Sequence, residues 1–164
     1  MKSLYLIRHA KSSWDYHNLS DVDRPLKGRG IRDAHLISTH VAKHLTHPDG
    51  IYSSHATRAL HTAMIFTRNL GKDFQNLNPD ERLYLASVQD LMTYCQTLPE
   101  DQNCVMLFGH NPTITEFVNR CIQQRIDNVP TTGMVYLKFD VERWSDLGWD
   151  AELVLFDYPK NHKD

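Results

Sequence analysis

Cysteine is scarce in this 164-residue chain, with only three thiols, Cys95, Cys104 and Cys121. They are odd in number, lack a short paired spacing and sit in apolar patterns, which reads as buried reduced thiols rather than a disulfide frame or a cysteine metal site. No apolar run approaches the length of a membrane span, and the amino terminus offers one lysine and a run of strand length only, so neither a membrane helix nor a signal peptide is expected. Charge of one sign is also lacking: the formal net charge is -2, leaving no basic field for nucleic acid or an anionic membrane. With no internal repeat, linker or low-complexity tract, residues 1–164 read as one domain, expected in the cytoplasm. A chain of this size can bury about two thirds of its unfolded surface.

What is present is a set of short apolar runs that stop abruptly at cationic or imidazole side chains. Leu4, Tyr5, Leu6 and Ile7 lead straight into Arg8 and His9, the pattern of a buried strand opening onto a site. A second strand candidate from Gly50 passes through a polar turn into a helix over 56–70, whose first turn carries Arg58. A third, from Cys104 to Phe108, ends in Gly109 and His110, with Pro112 suited to a helix start. If the three strands share one parallel sheet, their carboxyl ends converge on one crevice containing Arg8, His9, Arg58 and His110.

Between these runs the apolar spacing predicts helices over 27–45 (Ala34, Ile37, Val41, Leu45), 56–70 (Ala59, Ala63, Phe66, Leu70), a segment with Leu91, Cys95 and Leu98 on one side, and 112–123 (Ile114, Phe117, Cys121). Residues 72–81 read as a loop with room for a short strand. Residues 134–139 and 151–156 read as strands that pair antiparallel at one edge of the sheet. The expected fold is a single-domain α/β three-layer sandwich, a mostly parallel sheet with helices on both faces and an antiparallel edge strand.

The chemistry suggested is phosphoryl transfer. A neutral imidazole with an ordinary pKa of about 6.5 is a competent nucleophile, and His9 is the candidate. Arg8 and Arg58 offer forks matched to phosphoryl oxygens, and His110 a further N–H. An arginine in the first turn of a helix opposes the helix dipole, a conflict that a bound phosphate removes. Ser12 is a candidate phosphate contact in the polar loop after His9, although loop hydroxyls commonly bond the local backbone. Arg24 and Arg29 are expected on the surface, or locking that loop through a carboxylate such as Asp23. His40 and His44 have a helical spacing that can chelate, but His35, His40, His44 and His47 lack an acid or cysteine to complete a set and read as solvated, so no metal site is expected.

Arg8-His9, an arginine early in the second strand-helix unit and Gly109-His110-Asn111-Pro112, in this order, resemble the histidine phosphatase superfamily, which includes phosphoglycerate mutases and many phosphatases. Residues 8–14 (Arg-His-Ala-Lys-Ser-Ser-Trp), then Asp23-Arg24-Pro25-Leu26 with Arg29-Gly30, resemble the SixA-type phosphohistidine phosphatases within it. The resemblance covers nearly the whole chain and implies a metal-independent, cofactor-free phosphatase that forms a phosphohistidine on His9. Its implied substrate is a phosphorylated histidine on a signalling or carrier protein, with phosphate ion as product. Relatives place a phosphate-binding asparagine where this chain has Asp15, whose charge would repel phosphate. Mutases and broad phosphatases carry an acid near the position of Leu85. Its absence favours an N-phosphoryl substrate, because imidazole leaves far more readily than a sugar alkoxide. Two other readings are a small-molecule phosphomonoesterase using Asp80, Glu81 or Asp90 as the acid, and an idle phosphate-binding or interaction module.

Overall fold

The first strand, β1 (Lys2–Arg8), runs through the middle of the computed structural model, which describes residues 1–163. Its apolar run is buried on both faces. Leu4 and Leu6 point to one helical layer, Tyr5 and Ile7 to the other, as the period of two requires. The chain continues through α1 (Gly28–His44), β2 (Gly50–Ser54), α2 (Thr57–Asn69), β3 (Leu77–Asp80), α3 (Val88–Gln96), β4 (Cys104–Gly109), α4 (Thr113–Cys121), β5 (Met134–Phe139) and β6 (Glu152–Asp157).

The six strands form one sheet in the order β3-β2-β4-β1-β5-β6. Strands β1 to β4 are parallel, as the buried runs require, and β5 pairs antiparallel with both β1 and β6. The strand that runs against the others therefore lies one place in from the edge, and β6 closes that side. Helices α1 and α2 cover the face of Tyr5 and Ile7, while α3 and α4 cover the face of Leu4 and Leu6. The three cysteines are free and buried.

Local differences from the sequence reading have local causes. The loop at 72–81 contains β3, an edge strand in spite of Pro79, because β3 pairs on one side only. Helix α3 starts at Val88 through a capping box between Ser87 and Asp90. Helix α4 ends at Cys121, two residues before the predicted stop. Ile122 is extended, and the Cys121 carbonyl accepts the Ala151 N–H at 2.9 Å instead of continuing the helix. Pro112 occupies the N-cap of α4 rather than its first helical position.

The register of β1 against β4 positions the site. Arg8 pairs with Gly109, and the His9 N–H donates to the Gly109 carbonyl at 3.1 Å, so the next residue on each strand, His9 and His110, emerge side by side. The turn before β5 supports this end: Thr132 N–H donates to the carbonyls of Arg8 (3.1 Å) and His9 (3.2 Å). Thr132 holds this position with φ of 57°, in the left-handed region.

Candidate active site

The imidazoles of His9 and His110 face one another with ring centroids 5.2 Å apart. His9 Nδ1 lies 2.8 Å from the carbonyl of Ala10. A carbonyl can only accept, so Nδ1 carries the proton and Nε2 keeps its lone pair, the state a nucleophile needs. Burial pushes the His9 pKa down to about 3, with the His110 ring and the Arg58 and Arg8 charges lowering it further and the Ala10 carbonyl pulling the other way. His9 is therefore neutral across the physiological range.

His110 Nε2 lies 2.8 Å from Ser54 Oγ, which accepts the Ala56 N–H at 3.2 Å. Among the described residues that hydroxyl has no other acceptor for its proton, so the proton goes to Nε2, which places the His110 proton on Nδ1. Burial, then the Arg58 charge, lowers the His110 pKa to about 4. His110 acts here as a neutral N–H donor rather than as a cation.

Among the described residues, the buried side-chain polar atoms without a partner are Arg8 Nε, Arg58 Nε, His110 Nδ1 and Thr132 Oγ1. Native interiors leave few such groups. Three of the four are donors on residues that the sequence assigns to a phosphate crevice.

Arg58, 7% exposed, is held by Asp21. One amino group donates to the Asp21 carbonyl at 2.7 Å and the other to Asp21 Oδ2 at 3.0 Å. The same Oδ2 accepts the Tyr84 hydroxyl at 2.6 Å, and Oδ1 accepts from Arg24 at 3.1 Å. The Tyr84 hydroxyl, then Arg24 and Arg58, hold the Asp21 carboxyl down at about 2 against the opposing effect of burial. The polar loop after His9 is thus latched by Asp21, not by Asp23, which accepts from the Ser20 hydroxyl instead. Arg24 is buried rather than exposed. It donates to the Ser13 carbonyl and the Ser12 hydroxyl and lies 3.2 Å over the Trp14 ring. Arg29 stays outside, beside Asp33. Ser12 is seated against Arg24, bridged to Leu26. Asp15 is exposed.

Sequence reasoning missed Asp21, Ser54 and Thr62. Thr62 Oγ1 accepts the Ala10 N–H at 3.0 Å and donates to the Arg58 carbonyl at 2.7 Å, tying the residue after His9 to the helical turn of Arg58. A hydroxyl buried on an otherwise apolar helix face was the signal available.

Beside His110 and Arg58 lies a cleft of about 280 Å³ walled by Leu83, Leu85, Leu91 and Ile114. Among the described residues that line it, none is a carboxylate. Asp80 is clamped by Arg82 at 2.7 Å, the interaction that lowers its pKa to about 2, and Asp90 is committed to capping α3. Leu85, at the mouth of the cleft, is 81% exposed with φ of 58°.

Among the histidines considered for a metal, His35 accepts from the Asn69 amide and His47 donates to the Ala42 carbonyl. His40 lies near Asp157 and His162.

The model of the histidine phosphatase superfamily (branch 1) matches residues 4–84. An uncharacterized protein of Mycobacterium tuberculosis strain H37Rv is 29% identical over 165 residues, spanning 94% of this chain and 100% of its own length. The crystal structure of a candidate phosphohistidine phosphatase SixA from Agrobacterium tumefaciens superposes with a TM-score of 0.82 at 27% identity, covering 96% of this chain and 98% of that one. A protein histidine phosphatase SixA complexed with tungstate shares the fold, with a TM-score of 0.84 at 18% identity over 98% and 99% of the two chains.

Proposed function

Because this chain belongs to the histidine phosphatase superfamily, as a phosphatase of its SixA type, we propose that it hydrolyses phosphohistidine on a protein through a covalent phosphohistidine at His9. The observation that carries this reading is the fixed His9 tautomer, with a lone pair on Nε2 beside donors from Arg8, Arg58 and His110. In the first step the Nε2 lone pair forms a bond to phosphorus as the bond from phosphorus to the substrate imidazole breaks. The departing ring takes the electron pair and a proton from solvent. In the second step water attacks phosphorus and gives up a proton to solvent, the His9 bond breaks with its electron pair returning to Nε2, and phosphate leaves. The two guanidiniums and the His110 N–H neutralise the spectator oxygens through both steps. No step needs a metal.

The lining of the cleft supports the choice of leaving group. A sugar alkoxide needs a proton from a positioned acid, and among the described residues the lining holds no carboxyl group. Asp21, beside Arg58, is held ionised and cannot supply one. The apolar walls suit the backbone and side chains flanking a histidine on another protein better than a polyhydroxy ligand.

Trapping the phosphoenzyme tests the proposal. His9→Ala is expected to abolish acid-labile phosphate incorporation and turnover, while excess chelator leaves turnover unchanged. Full activity in His9→Ala would overturn the mechanism. A clear preference for sugar phosphates over a phosphohistidine protein would overturn the substrate class and leave the mechanism standing.

A further inference from the structure

Away from the phosphate cleft, three ligating side chains from distant parts of the sequence meet. His40 of α1, Asp157 at the end of β6 and His162 in the closing turn Pro159–His162 each offer one ligand atom, all within 4.8 Å of one another. Asp157 is 5% exposed. Its Oδ1 is occupied by the Tyr158 N–H at 2.9 Å and the Asn161 amide at 3.2 Å. Its Oδ2 faces both imidazoles, 2.6 Å from His162 Nε2 and 4.0 Å from His40 Nε2. The His40 and His162 rings are 4.7 Å apart, and His44, one turn along α1, lies 5.0 Å from His40.

An ion pair between Asp157 and His162 would account for one imidazole. The second imidazole turned toward the same oxygen is what an ion pair does not require, since two imidazoliums at this spacing repel. We propose that His40, Asp157 and His162 bind one divalent transition-metal ion, zinc above all, with a fourth position open to solvent. Two imidazoles and one carboxylate with an open position form a known class of zinc donor set. Ligands of tetrahedral zinc stand about 3.3 Å apart at bond lengths near 2.05 Å. The two spacings to Asp157 Oδ2, 4.0 and 2.6 Å, lie on either side of that value and all three ligand atoms lie within 4.8 Å of one another, so side-chain movements of about 1 Å bring them onto one ion. The Asn161 amide and Tyr158 N–H orient the carboxylate from behind, as supporting bonds do in metal sites. Both histidines are partly exposed, which gives an ion its entry.

The ion would staple α1 to the last strand and closing turn, beside the 2.8 Å pair between Lys163 and Asp33. None of the three ligands lines the phosphate cleft, so the ion is assigned to stability and not to turnover.

The test uses the untagged full chain stripped with chelator and titrated with zinc chloride, then with cobalt(II) as a spectroscopic probe. One ion per chain, visible cobalt bands of a four- or five-coordinate site, and a rise in melting temperature reversed by chelator are expected. His40→Gln and His162→Gln, both at partly exposed positions, should each weaken binding by about 10-fold or more. His35→Gln and His47→Gln should leave it unchanged. Absence of binding at 100 µM zinc would overturn the proposal. So would binding that survives both His40→Gln and His162→Gln, or that falls equally in His35→Gln. These readouts involve no phosphatase assay, so the metal site and the proposed activity stand or fall separately.

Discussion

The Asp21 carboxylate sits 3.0 Å from the Arg58 guanidinium, and the Asp21 carbonyl 2.7 Å from the same group. A loop anion thus already occupies part of the fork proposed to hold the substrate's phosphoryl group. Replacing Asp21 with Asn keeps a side-chain oxygen but removes the competing charge. Inorganic phosphate is then expected to inhibit Asp21→Asn several-fold more tightly than wild type. Weaker inhibition would show that the carboxylate matters more for orienting Arg58 than for competing with phosphate. The variant also has a signature in acid. The folded pKa of Asp21 is depressed to about 2, so its contribution to stability is full above its unfolded value and is lost as pH falls toward 2. Asp21→Asn should flatten that part of the stability curve.

The two imidazoles give a second pH signature. Burial depresses His9 to about 3 and His110 to about 4. Unfolded histidine titrates near 6.5, so below about pH 6.5 the unfolded chain binds protons that the folded site refuses. Stability from these neutral rings is complete above that pH and is lost as pH falls through about 4 and then 3. Melting temperature should therefore decline from about pH 6.5 downward, and decline less in His110→Gln. With an acid-stable phosphate ester, the acid limb of kcat/KM should lie near pH 4 or below. A limb at pH 6.5 would contradict the neutral buried pair.

How much of this was legible in the sequence depended on how local each signal was. The runs ending at His9 and His110 announce buried strands. The alternation of Leu4 and Leu6 with Tyr5 and Ile7 is the direct consequence of a sheet covered on both faces. Arg58 was visible as an arginine against the helix dipole. Asp21 was not, because it lies in a polar loop without periodicity, beside an equally plausible Asp23, and only the fold brings it to Arg58 and Tyr84. The acid that His40 lacked in the sequence is Asp157, delivered by the last strand of the sheet. β3, with Asn78, Pro79 and Asp80, has poor strand formers and owes its existence to pairing with β2.

Thr62 links the neighbour of His9, the proposed nucleophile, to Arg58, and its role is positioning. Thr62→Val removes the side-chain acceptor of the Ala10 N–H and leaves that buried donor without it, at about 1–3 kcal/mol. A fall in kcat together with a lower urea midpoint is expected, and Thr62→Ser should restore both. If Thr62→Ser remains as impaired as Thr62→Val, the hydroxyl is not the operative group.

Gly30 lets α1 approach the strand-end loop. A Cβ there would collide with the Lys11 carbonyl, which also accepts the Lys27 N–H at 2.9 Å. Both obstacles are backbone, so the loop must shift. Gly30→Ala is expected to destabilise by about 1–3 kcal/mol in spite of alanine's better helix propensity. A melting temperature at or above wild type would show that α1 can withdraw freely.

Leu85 offers the sharpest test of the proposal that the cleft favours an N-phosphoryl leaving group. It stands at the cleft mouth, 81% exposed, with φ of 58°, a conformation that aspartate tolerates better than leucine. Leu85→Asp therefore introduces a carboxyl without backbone strain, at a position lined otherwise by apolar groups and donors. If the missing proton donor limits ester hydrolysis, this variant should raise turnover of a sugar phosphate relative to an activated aryl phosphate, whose leaving group needs no proton. The ratio should increase by about 10-fold, short of the 100-fold or more that a fully positioned acid supplies. Turnover of the aryl ester serves as the internal control for phosphate binding and attack by His9. An unchanged ratio, with the aryl rate preserved, would mean that something other than the absent carboxyl group disfavours sugar esters, and the argument from leaving-group chemistry would fail.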